Sequence, residues 1–92
     1  MDQHLHDLHL KAGRVAGQEK TCGKKAAYAS EEAATRAAAA HNRWDKRRHD
    51  VEPYPCAFCQ QWHVGNIMPR SLLEEMAEQH DASRESEARP RP

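Results

Sequence analysis

Three thiols and one imidazole, at Cys22, Cys56, Cys59 and His63, have the types and spacing to close a tetrahedral shell around one Zn²⁺ ion. Zinc takes cysteine sulfur at about 2.3 Å and histidine nitrogen at about 2.0 Å, and structural sites fill all four positions with such groups. In the run Cys56-Ala57-Phe58-Cys59-Gln60-Gln61-Trp62-His63, the Cys-x2-Cys pair can make a knuckle with both sulfurs facing one way. His63 can then return to the same ion from the segment leaving the knuckle, and Cys22 joins from far upstream, tying two halves of a domain together. His49 is the other candidate for the fourth position, and spacing favours His63. A closed set of four leaves no position for water, so the expected metal is structural, with no small-molecule substrate and no enzymatic role. Glu52 lies near the knuckle, but no His-x-Glu unit accompanies the cysteines as zinc deaminases require. A thioredoxin-like role for Cys56 and Cys59 would need a βαβ pattern that is not present.

The competing reading of the cysteines is a set of free thiols, or one disulfide with a thiol left over. An odd cysteine count argues against a secreted disulfide scaffold, and the first residues show no basic stretch followed by an apolar core. A reducing cytoplasm is therefore the expected setting, where clustered cysteines more often bind metal. The 92 residues are 38% hydrophobic, much of that alanine, and the mean hydropathy is −1.04. Such a chain buries a core only marginally, and small scaffolds commonly add a metal. No apolar run approaches the roughly 18 residues that span a bilayer, so no membrane role is expected.

The elements that must hold these ligands follow from local patterns. Residues 1–19, with His4, His6 and His9 among leucines and with Gly13 and Gly17 as breaks, read as a flexible, His-rich N-terminus. Residues 20–70 read as the zinc-finger domain. Gly23 lets the chain turn beside Cys22. Ser30 is a good N-cap for an alanine-rich helix from Glu31 to about Lys46, with Glu31 and Glu32 suited to its positive end. Ala33, Ala37, Ala40 and Trp44 make a narrow apolar stripe on it, with Trp44 supplying most of the buried area. Val51–Pro55 and Gln61–Val64 read as the two strands of a hairpin with the metal at its tip. In residues 71–80, Ser71 and Glu74 form a capping box for a short amphipathic helix bearing Leu72, Leu73 and Met76. Residues 81–92 read as a disordered tail. The predicted fold is thus a small α+β zinc-binding domain: a central alanine-rich helix on a short hairpin with a zinc knuckle, a short C-terminal helix and disordered ends.

The order Cys22-Gly23-Lys24-Lys25, Tyr28, an alanine-rich helix, then Tyr54-Pro55-Cys56-x2-Cys59-x2-Trp62-His63 resembles small zinc-finger-like proteins encoded by actinobacteria and their phages or mobile elements. The resemblance covers about Lys20 to Asn66. It implies metal ligation by Cys56, Cys59 and His63, with Cys22 as the upstream ligand, and it says little of activity.

Function is read from charge. The formal net charge is zero, but basic side chains outnumber acidic ones by four from Lys20 to Asp50, and acidic ones exceed basic by three from Ser71 onward. The leading expectation is a regulatory nucleic-acid-binding finger in which Lys24, Lys25, Arg43, Arg47 and Arg48 contact phosphates and Trp62 or Tyr28 adds stacking. The alternative is an adaptor that engages a transcription or replication component through the Leu72, Leu73 and Met76 helix or the acidic tail.

Overall fold

The computed structural model describes residues 1–45 and 50–88, with side chains as far as residue 84. In chain order the elements are α1 (Gln3–Ala16), the single turn α2 (Gln18–Thr21), α3 (Glu31–Trp44), β1 (Val51–Pro55), β2 (Trp62–Asn66) and α4 (Arg70–Ala88). The α+β architecture is the predicted one, with two differences at its ends.

The N-terminal segment expected to be flexible is the helix α1. Asp2 caps it, its carboxylate accepting from the Leu5 N–H at 2.8 Å. Leu5, Leu8 and Ala12 recur at helical spacing, a pattern hidden in the sequence by the interleaved histidines. Gly13 does not break the helix. It lets α2 lie close, since a Cβ there would stand 3.1 Å from Thr21 Cγ2, and the Thr21 hydroxyl donates to the Gly13 carbonyl. At the other end, α4 runs to Ala88, beyond the predicted limit near residue 80 and through much of the predicted tail; 89–92 lie outside the described residues. No glycine or proline interrupts Arg70–Ala88, and Lys11 of α1 holds Asp81 at 3.0 Å. Because the helix starts at Arg70, Ser71 falls within the first turn, and Glu74 pairs with Arg70 in place of a capping box.

These two helices make the apolar core. Leu8 and Ala12 of α1 pack against Leu73 and Ala77 of α4, flanked by Leu5, Met68 and Met76. The face expected to be offered to a partner is therefore largely docked on the chain itself: Leu73 is 1% exposed, and Leu72 beside it 41%.

The second layer carries α3 over the hairpin. Ser30 caps α3 as predicted, accepting from the Ala33 N–H at 3.1 Å. Its buried face is Ala34 and Ala38, one residue out of step with the predicted stripe, and Trp44 stands out at 79% exposed. A Cβ-only face lets the helix axis come close to the strands, and the bulky indole has no room there. Asn42 fastens the last turn to β1: its amide donates to the Val51 carbonyl at 3.0 Å and accepts from the Val51 N–H at 2.8 Å.

β1 and β2 pair antiparallel, with Tyr54 opposite His63 and Pro55 opposite Trp62. Pro53 and Pro55 alternate onto one edge of β1, where the absence of an N–H closes that edge to further pairing. On the far edge of β2, Tyr28 exchanges two backbone hydrogen bonds with Trp62, at 2.7 and 2.8 Å. No helix among the described residues is long and apolar enough to cross a membrane.

Candidate metal centre

The knuckle follows from the loop between β1 and β2. The Cys56 N–H donates to the Gln61 carbonyl at 2.8 Å, closing the turn. The N–H groups of Phe58 and Cys59 then point at Cys56 Sγ, at 3.4 and 3.5 Å. Gln60 adopts φ +60°, the left-handed conformation that reverses the chain toward β2. Three residues later His63, 1% exposed, faces inward from β2.

Cys22 arrives by a different device. It is the C-cap of α2, its N–H donating to the Gln18 carbonyl at 2.8 Å. The chain then turns at Gly23, at φ +39°, where any Cβ would strike the Glu19 carbonyl oxygen. Tyr54 secures this corner: its hydroxyl donates to the Thr21 carbonyl, the residue before Cys22, and accepts from Lys25 Nζ at 3.2 Å.

The four predicted ligands meet. The thiol sulfurs of Cys22, Cys56 and Cys59 and a ring nitrogen of His63 all lie within 4.8 Å of one another. Cys59 Sγ and His63 Nε2 stand 3.4 Å apart, and a tetrahedral zinc ion would separate sulfur and nitrogen by about 3.5 Å. The other ring nitrogen, Nδ1, lies 2.7 Å from the Ala26 carbonyl. That contact needs Nδ1 to carry the proton, which leaves the Nε2 lone pair facing the three sulfurs. Orientation of a ligating imidazole by a carbonyl is the usual outer support of a metal site. The donor set is therefore compatible with one structural zinc ion, held by Cys22, Cys56, Cys59 and His63.

The thiols differ in their readiness to ionise. Burial pushes the Cys56 thiol up, but the N–H groups of Cys59 and Phe58 outweigh it and bring Cys56 down to about 7. Cys22 is pushed up to about 11, first by desolvation and then by its two neighbouring thiols. Tyr54 rises to about 12 through burial and the adjacent sulfurs, so its hydroxyl stays a donor. A bound divalent cation would offset the desolvation and the neighbouring sulfur charge that together raise Cys22.

The remaining predicted site residues are dispersed. Lys24 is exposed, whereas Lys25 packs its ammonium 5.5 Å above the Tyr54 ring as well as bonding its hydroxyl. Arg43 is exposed on α3; Arg47, Arg48 and His49 lie outside the described residues. Trp62 is half-buried, with the His6 ring set edge-on at 5.8 Å, and lines a groove of about 280 Å³ together with Arg14, Gln60 and Gln61. Glu52 accepts from the Met68 N–H at 3.0 Å. The parts played by Ala26, Tyr54 and Tyr28 are not legible in the sequence alone. Ala26 acts through a backbone carbonyl, which no side-chain pattern announces; the aromatic at Tyr54, opposite His63 in a hairpin, was the one available signal. No protein-family model, curated protein or solved structure matches this chain, so the metal centre rests on its own geometry.

Proposed function

We propose that the protein is a finger module stabilised by one structural Zn²⁺, binding nucleic acid through its basic middle in a regulatory, cytoplasmic role. The observation that carries the zinc half is the closed set of three sulfurs and one correctly oriented imidazole nitrogen. When bound, the ion supplies a fixed four-way link between α2, the knuckle and β2. The chain's own residues do the rest: Ala26 holds the imidazole, Gly23 turns Cys22 inward, and the knuckle N–H groups stabilise sulfur charge.

The nucleic-acid half is supported by charge and exposure. Lys24, Arg36 and Arg43 are exposed, and among the described residues none of them has an ion-pair partner. Lys46, Arg47 and Arg48 follow directly in sequence. Exposed cations left free of carboxylates are the electrostatic footprint of phosphate binding, and Arg36 and Arg43 share one cleft on α3.

Two measurements test the two halves. Elemental analysis is expected to return about one zinc per chain, with Cys59→Ser losing it, and a chelator is expected to abolish cooperative unfolding, since ligation free energy here is folding free energy. A metal-free chain that still unfolds cooperatively refutes the structural role. Binding to labelled oligonucleotides at low salt should weaken steeply as salt rises; no detectable binding refutes the second half.

A further inference from the structure

The outer face of α3 displays the most exposed large apolar side chain among the described residues, Trp44. Arg36 and Arg43 flank it, with Ala39 and Ala40 between, and together the five line a shallow cleft of about 240 Å³. The two alanines leave the indole and both guanidinium groups standing clear of the helix surface. Neither arginine has a carboxylate partner among the described residues. The Asn42 clamp on Val51 fixes the turn that carries Arg43 and Trp44, so the platform is held in place before any ligand arrives.

We propose that this face binds single-stranded nucleic acid, with one base stacked on the Trp44 indole and its neighbouring phosphates neutralised by Arg36 and Arg43. The inference rests on the nucleic-acid reading above and gives that reading its site. A flat aromatic flanked by cations suits a base whose face is open, as single strands offer; a duplex presents base edges in its grooves and keeps the faces stacked. A protein partner suits the patch less well. The centre of a protein interface is depleted of charge, and two arginines beside the ring would have to be desolvated or matched there, whereas phosphates match them directly.

The test uses the full zinc-loaded chain and fluorescence anisotropy with a labelled oligo-dT, an oligo-U and a duplex of equal length. Single strands are expected to bind more tightly than the duplex. Trp44→Ala should weaken single-strand binding about 5- to 150-fold, the range of one lost base stack, with Trp44→Phe retaining most of the affinity. Arg36→Ala and Arg43→Ala should each reduce the salt dependence by about one released counterion. Zinc content and circular dichroism of Trp44→Ala should equal those of the parent, because the side chain supports nothing beneath it. If Trp44→Ala binds like the parent while Arg43→Ala is weakened, stacking is refuted and nucleic-acid binding stands. If the duplex binds more tightly, the single-strand assignment is refuted. If no oligonucleotide binds at low salt, both this assignment and the nucleic-acid reading are refuted.

Discussion

Gln60 shows how tightly the metal site constrains single residues. Its φ of +60° is a conformation that costs a side-chain-bearing residue roughly 1–2 kcal/mol, and the knuckle requires it because Cys59 and His63 must face the same point. Gln60→Gly is therefore expected to raise the stability of the zinc-loaded protein by about 0.5–1 kcal/mol, and Gln60→Val to lower it by at least as much, as read from denaturant midpoints. The four ligands were legible in the sequence because metal chemistry depends on residue type, and few other residues here supply soft donors. What supports them was not. The Ala26 carbonyl reaches His63 Nδ1 only because Tyr28 pairs with Trp62, a pairing between segments separated by all of α3.

The helices show where pattern reading succeeds and where it slips. Ser30 and the alanine run identified α3, since capping and the absence of glycine and proline are local facts. Its buried face could not be chosen the same way: a stripe of alanines is nearly the same all round, and only contact with the hairpin selects Ala34 and Ala38 over Ala33 and Ala37. Helix α1 was obscured by its histidines and glycines, although Leu5, Leu8 and Ala12 carried the period. The α1–α4 seam gives a sharp contrast between adjacent side chains. Leu73→Ala should cost about 2–5 kcal/mol, whereas Leu72→Ala should stay within about 0.5 kcal/mol, by chemical denaturation of the zinc-loaded protein.

Taken whole, the molecule is two thin layers joined through the rings of His9 and Tyr54, stacked with centroids 6.4 Å apart. Burial of His9 holds its pKa below the ordinary imidazole value, Glu52 opposing and His6 adding to the effect. The fold therefore favours neutral His9. Its contribution to stability is complete above about pH 6.5 and is lost as pH falls through the lower folded-state value. Denaturant midpoints should fall on acidification less steeply for His9→Phe than for the parent; parallel curves would remove His9 from the account. Zinc release is common to both proteins, so the difference between the curves isolates the imidazole. The placement of the ligands along the chain has its own consequence for assembly. Cys56, Cys59 and His63 sit close together in one hairpin and can seize an ion at small entropic cost, whereas Cys22 must close a ring that contains the whole of α3. Maturation of the centre is then expected in two stages, a quick local capture by the hairpin and a slower docking of the upstream thiolate, and the second stage is the one that seats the helix.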